Sequence, residues 1–305
     1  MKISWHPCYA HPLPIGHRFP MQKYDLLPGV LLKEGYIAHG DLHQPEEISD
    51  ELLLKVHSAD YLCKLIELRL DRQEERRSGF PQSTALIKRE KIIMQGTVDC
   101  VDFAFNDGIS LNVAGGTHHA FRDRAEGFCL LNDIALAAVY AKEKYKLDKI
   151  LVVDLDVHQG NGTASIFAQD QQVFTFSMHG KNNYPMHKET SDMDIPLEDG
   201  TTDETYLILL RDTLDKILTN FEAQLIIYQC GVDVLASDKL GRMALSIDAC
   251  LKRDELVFQK AQELNAPVVC AMGGGYSENI DIIVEAHANT FRLASDICSI
   301  SYFKK

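Results

Sequence analysis

Short runs of β-branched and other apolar residues alternate along the chain with longer stretches in which apolar positions recur every three or four residues. The runs at 110–114, Ile150–Asp154, 173–178, Leu225–Gln229 and 268–272 are too short for helices and end in Gly, Asp or His, so they predict strands. Helical spacing over 133–146, Asp203–Asn220 and 252–264 separates several of them. Strand, helix, strand at these intervals predicts a mostly parallel central sheet covered on both faces, a three-layer αβα domain. A further helical pattern begins near Ala59, with Leu62, Leu65 and Ile66 on one face, and continues into the sign-alternating stretch 69–77. That stretch reads as the solvated end of the same helix. No repeat, low-complexity tract or linker interrupts the pattern, so one domain is expected over 1–305.

The segments just past the strand ends carry the chemistry. The first strand runs into Gly115-Gly116-Thr117-His118-His119, the second into Leu155-Asp156-Val157-His158, the fourth into Cys230-Gly231-Val232-Asp233 and the fifth into Gly273-Gly274-Gly275-Tyr276. Ligands of open α/β sheets bind beyond the carboxyl ends of the strands, so four distant segments are expected to meet at one site.

Asp154, Asp156 and His158 alternate with Leu155 and Val157, which aims the three polar side chains to one side of an extended segment. Carboxylate oxygens and an imidazole suit Zn²⁺ or Fe²⁺, and three protein ligands with an open position is a catalytic arrangement. An N-cap Asp before a glycine-rich turn would leave buried carboxylates without a partner. Asp233, at the end of an apolar strand, is the natural third ligand beside Asp156 and His158. His118 and His119 titrate near neutrality, which suits taking a proton from an attacking water and passing one to a leaving amine. A carboxylate such as Asp154 can hold one of these rings by a hydrogen bond and so orient it. Tyr276, closing a triple-glycine turn, can donate to a developing oxyanion.

Composition narrows the partners. Lys and Arg number 31 against 44 Asp and Glu, a net charge of -13, which disfavours a nucleic-acid backbone as partner. The same acidity suits cationic substrates, although ordinary solubility explains it equally well. No run approaches the ~18 apolar residues of a membrane span and the first residues lack a signal-peptide core, so a cytoplasmic protein is expected. The eight cysteines are scattered, without a C-x-x-C pair, and read as thiols in apolar surroundings.

These motifs resemble the zinc-dependent histone deacetylases and their bacterial relatives, within the arginase-deacetylase fold. The likeness runs from about Trp5 to Arg292, with G-G-T-H-H-A, G-F-C-x-x-N-D (127–133), D-L-D-V-H-x-G-N-G, the strand ending in Asp233 and G-G-G-Y in family order. The resemblance implies Zn²⁺, with Fe²⁺ as the alternative, on Asp156, His158 and Asp233. It implies proton transfer by His118 and His119, with His119 the general base, Asp154 as orienter, and polarisation of the acyl carbonyl by Tyr276. It further implies that Gly127, Phe128, Tyr184, Leu240 and Gly274 shape an acyl-lysine tunnel. A structural K⁺ is implied on oxygens of Asp154, Asp156, His158, Ser177 and Met178. The implied reaction is hydrolysis of an N-ε-acyl-lysine in a protein or peptide, or of a small acylated amine.

The likeness is greatest to the class IV branch, for which Gln159-Gly160-Asn161-Gly162 is typical. Class I members place an Asp where Asn161 stands, and a neutral amide supports an imidazolium less strongly. Their rim aspartate aligns with Ala59, with Asp60 adjacent. Polyamine-selective relatives carry a Glu at the position of Leu240; an apolar residue there argues against polyamines and tolerates a longer acyl chain. A two-manganese ureohydrolase would need more carboxylate ligands than this pattern supplies. A silent acyl-lysine reader would have no use for the full set of catalytic residue types.

Overall fold

The computed structural model describes residues 1–299. The chain opens with β1 (Ile3–Ser4), α1 (Lys23–Glu34) and β2 (Leu42–His43), followed by α2 (Asp50–Val56), α3 (Ala59–Ile66), α4 (Arg72–Ser78) and α5 (Thr84–Asp107). It continues through β3 (Ile109–Asn112), α6 (Asp133–Tyr145), β4 (Ile150–Asp154), α7 (Asn161–Phe167), β5 (Val173–Gly180) and β6 (Met193–Leu197). It closes with α8 (Asp203–Asn220), β7 (Leu225–Gln229), α9 (Ile247–Leu264), β8 (Val268–Ala271) and α10 (Ile280–Ser299). All five expected strands and all three inter-strand helices are present, within a few residues of their expected ends. Residues 300–305 of the expected single domain lie outside the described residues.

The eight strands form one sheet in the order β2-β1-β3-β8-β7-β4-β5-β6, and every pairing is parallel. Each residue of β3, β4, β7 and β8 is buried, which requires helices on both faces of the sheet. These four strands are neighbours at the centre. The loops that carry the candidate chemistry therefore leave a single edge of the sheet side by side.

The pattern from Ala59 does not continue as one helix. It stops at Ile66, Leu68 takes a left-handed φ of 56°, and a new helix starts at Arg72. Asp71 caps that start by accepting from Gln73 and Glu74, while Glu74 accepts from the Asp71 N–H. The D-x-x-E spacing of a capping box was visible in the sequence and marks the break. The strand at 150–154 likewise ends at Asp154, and residues 155–158 follow an irregular path, not the extended one their alternation implied.

His57, between α2 and α3, ties this helical layer to the segment that follows β3. Its Nδ1 donates to the Phe121 carbonyl at 3.0 Å and its Nε2 accepts from the Asn132 N–H at 3.0 Å, a pairing only the neutral ring can make. Burial pushes its pKa down to about 4. Because the folded value lies below that of the unfolded chain, this contribution is complete above about pH 6.5 and is lost as the pH falls toward 4. The difference in unfolding free energy between wild type and His57→Gln should shrink by about 2 kcal/mol between pH 6.5 and pH 5. A difference that stays constant over that range would mean the ring titrates normally.

Candidate active site

Asp156 and His158 leave the irregular turn after β4, and Asp233 leaves the turn after the adjacent β7. One donor atom from each lies within 4.8 Å of the others, and all three residues are buried. His158 Nδ1 is 2.9 Å from Asp156 Oδ1 and 3.1 Å from Asp233 Oδ2. Burial opposes a charge on His158, yet its bonds to Asp156 and Asp233 lift its pKa to about 10. Burial and then the charge of Asp156 push Asp233 up to about 7. Two carboxylates crowded this deeply call for positive charge, and two oxygens with an imidazole fit a divalent metal ion.

The second oxygen of each carboxylate is held in place. Asp233 Oδ1 accepts from the Val157 N–H, and Asp156 Oδ2 accepts from the Gly274 N–H and from Gln229 Nε2. Gly274 has to be glycine here: a Cβ would fall 2.1 Å from Asp233 Oδ2 and 2.7 Å from Asp156 Oδ2. The fully buried Arg253 donates to the carbonyls of Cys230 and Gly231, which braces the Asp233 turn from behind.

Asp154 takes the orienting role that the sequence left between two rings. His118 Nδ1 donates to its Oδ2 at 2.6 Å, whereas His119 Nδ1 donates to Asn161 Oδ1 at 2.7 Å. The two imidazoles lie 4.1 Å apart, centre to centre. Burial lowers both, but Asp154 and then Asp156 outweigh it at His118 and hold its pKa up at about 8. At His119, burial followed by the charges of His118 and His158 pushes the pKa well below the usual imidazole range. Neighbouring residues thus have environments that drive their basicity apart, as expected where one group gives a proton and another takes one. The loop carrying them is pinned by Asp133, which accepts from the Gly116 and Thr117 N–H groups.

Tyr276 sits with its ring 6.4 Å from that of His158, beside Phe19 and Phe128. Burial, then the charges of Asp156 and Asp233, raise its pKa well above 10, so the phenol stays a donor. Its N–H donates to Asp238 Oδ2 at 2.6 Å.

Residues 17–291 match the histone deacetylase domain. The chain belongs to the histone deacetylase family. It is 39% identical to a protein of Picosynechococcus sp. over 97% of this chain and 98% of that one. Histone deacetylase 2 of Arabidopsis thaliana is 30% identical, over 86% of this chain and 70% of the plant protein. Human histone deacetylase 1 is 26% identical over 88% of this chain, and the match spans 61% of the human protein. Two solved structures share the fold at 25% identity and 97% coverage of this chain, both covered over 84% of their own length. One is an HDAC homologue in complex with SAHA (TM-score 0.85) and the other an HDAC homologue from Aquifex aeolicus (TM-score 0.84). The arginase-deacetylase fold and a deacetylase-type amidohydrolase activity follow from this membership.

Beside the buried Asp-His-Asp cluster, and sharing His158 with it, a cavity of about 370 Å³ brings together Gly127, Phe128, Tyr184 and Leu240 with His119 and Tyr276. Gly127 has φ 53°, and a Cβ there would meet the His119 ring at 2.6 Å. Phe128 also adopts a left-handed φ of 65°, held by its N–H donating to the Ser78 carbonyl. The Tyr184 hydroxyl donates to Glu126 at 2.5 Å, and its ring stands edge-on to His119 at 5.0 Å. Asp60 is exposed at the start of α3 and is not among the residues lining this cavity. Ser177 and Met178 are buried near the end of β5, with the Ser177 hydroxyl 3.0 Å from His179 Nδ1.

Several residues of the histone deacetylase site were not picked out by sequence. Gln229 supports Asp156, Asp238 accepts from the N–H groups of Leu240, Gly241 and Tyr276, and Lys23 donates to the Gly273 carbonyl at 2.9 Å. Gln229 carried a usable signal as a polar end to an apolar strand. Lys23 carried none, since a lysine in an N-terminal helix reads as surface until the fold buries it. Five of the eight cysteines are buried and none is in a disulfide, as their scattered placing implied. No described helix is long and apolar enough to cross a membrane.

Proposed function

We propose that this protein hydrolyses N-ε-acyl-lysine, with Zn²⁺ on Asp156, His158 and Asp233 and with tolerance for acyl groups longer than acetyl. The observation that carries the reading is the junction of two environments at His158, which belongs to the buried Asp-His-Asp cluster and also lines the cavity walled by Phe128, Tyr184 and Leu240. An extended acyl-amine needs both, an apolar sleeve for its chain and a polarising centre for its carbonyl.

A divalent ion in that cluster supplies Lewis-acid polarisation of the acyl carbonyl and lowers the pKa of water. Fe²⁺ is the other ion the donors suit. His119 accepts the proton of the attacking water, since burial and the charges of His118 and His158 keep its ring neutral and so with a free nitrogen lone pair. Tyr276 donates to the carbonyl oxygen as it gains charge. His118, held charged by Asp154, gives a proton to the departing amine. The C–N bond breaks, the carbonyl carbon keeps the water oxygen, and the products are a carboxylate and a free lysine amine. A structural K⁺ on oxygens of Asp154, Asp156, His158, Ser177 and Met178 belongs to the same proposal.

The test is turnover on one neutral peptide whose lysine carries acetyl through long fatty acyl groups, with N-acetylputrescine alongside and a chelated control. Chelator-sensitive release that holds or rises with chain length is expected. Release only from acetyl would overturn the long-acyl element. Activity on N-acetylputrescine alone would overturn the lysine substrate and the role given to Leu240.

A further inference from the structure

Three arginines ring the mouth of the cavity between Phe128, Tyr184 and Leu240. Arg18, Arg76 and Arg77 all line it, and all three are exposed. They come from two segments that the fold brings side by side. The Gly127 N–H donates to the Arg77 carbonyl at 3.0 Å and the Phe128 N–H to the Ser78 carbonyl at 2.9 Å, which fastens the end of α4 to the tunnel wall. His17 Nε2 lies 2.9 Å from the Gly79 carbonyl, and the next residue, Arg18, holds its guanidinium 5.6 Å from the centre of the Phe128 ring.

The neighbouring carboxylates are already engaged elsewhere. Glu74 pairs with Lys64 and caps Asp71, Glu75 accepts from Gln82, and Glu126 accepts from Tyr184 and lies 3.4 Å from Arg124. The alternating signs of 69–77 are thereby sorted by the fold. Acids turn to local partners, and the arginines at the mouth have no ion-pair partner among the described residues. In a chain of net charge -13, such a patch runs against the average charge of the surface.

Resting on the acyl-lysine reading, we infer that the substrate presents a carboxylate beside the acylated lysine, gripped by Arg18, Arg76 and Arg77. With the acyl amide at the buried cluster, the lysine main chain emerges at the mouth. A carboxylate there comes either from a flanking Asp or Glu or from the lysine's own free α-carboxylate, and guanidinium forks match either one. A lysine flanked by Arg or Lys, or an acylated polyamine, meets repulsion at the same place.

The test uses the acyl group that turns over best on the neutral peptide. Four further peptides carry it: flanked by Glu, flanked by Arg, and ending at the acyl-lysine as either carboxylate or amide. At low salt, kcat/KM is expected to favour Glu over Arg flanks by roughly tenfold, since several exposed pairs act together, and the gap should close as salt is raised. In Arg76→Glu/Arg77→Glu the Glu-to-Arg ratio should invert, and in Arg76→Gln/Arg77→Gln it should fall toward one. Because each ratio is taken on a single variant, changes in folding or metal loading cancel. A gain from Glu flanks identifies an acidic peptide, and a gain from the free terminus alone identifies a terminal or free acyl-lysine. Turnover without discrimination, or a preference for Arg flanks, overturns the inference and leaves the lysine reading intact. Silence on the neutral peptide with every acyl group overturns both.

Discussion

Tyr276→Phe is expected to retain its metal and lose about 10²–10³ in turnover, the usual cost of removing one oxyanion donor. The ring loses only its hydroxyl, so its packing against Phe19 and Phe128 is kept, and the main-chain bond from residue 276 to Asp238 survives. The group that disappears is a donor that burial and the charges of Asp156 and Asp233 keep protonated far above neutral pH. Single-turnover rates on the favoured acyl peptide, measured beside metal content, separate the two effects. Near-normal turnover in a fully loaded variant would remove Tyr276 from the reaction.

Asp233→Ala should be the most damaging single change at the site. It deletes one of three donors and also leaves the Val157 N–H without its acceptor. Metal affinity should fall by more than about 10²-fold, beyond the range typical of changes one shell further out. Dialysis against a weak chelator followed by elemental analysis reads this directly, and wild type should show a thermal shift on adding Zn²⁺ that the variant lacks. Asp233→Asn keeps the shape and an acceptor for Val157, and so separates loss of a ligand from loss of a fold. If Asp233→Asn folds and keeps a full complement of metal at wild-type affinity, Asp233 is not a ligand.

The two variants probe different layers of one site. Tyr276→Phe tests a donor proposed to act on charge that develops during reaction, whereas Asp233→Ala tests the buried cluster that makes the site polar. Between them stands Gly274, whose N–H supports Asp156 and whose missing side chain lets the Tyr276 turn press against both carboxylates. The loops after β4, β7 and β8 are therefore linked through these contacts, and a disturbance in any of them reaches the Asp156 and Asp233 carboxylates.

The amino-acid sequence by itself determined the parallel α/β architecture, the central strands and the convergence of His118, His119, Asp156, His158, Asp233 and Tyr276. Those are local patterns: apolar runs of strand length, each ending in polar and glycine residues, can be read without knowing which elements pack against them. The short strands β1 and β2 escaped notice because two residues make no pattern, and the edge strand β6 because it carries Pro196 and lies half in solvent. Helix α5 was hidden because Arg89 and Glu90 are buried as a pair within it, interrupting the apolar stripe that would have marked its inner face. The break before α4 was missed although Asp71 and Glu74 announced it.

Only the tertiary structure decided the pairings. Asp154 serves His118 and Asn161 serves His119, a division that depends on where α7 begins relative to the histidine loop. Only the fold set Lys23 against Gly273, and only the fold turned Arg76 and Arg77 to the cavity mouth while Glu74 and Glu75 found local partners. The physical reason is the same in each case. Secondary structure follows from the spacing of apolar residues along one segment, but the partner of a polar side chain is chosen by segments far away in sequence that packing brings within hydrogen-bond reach.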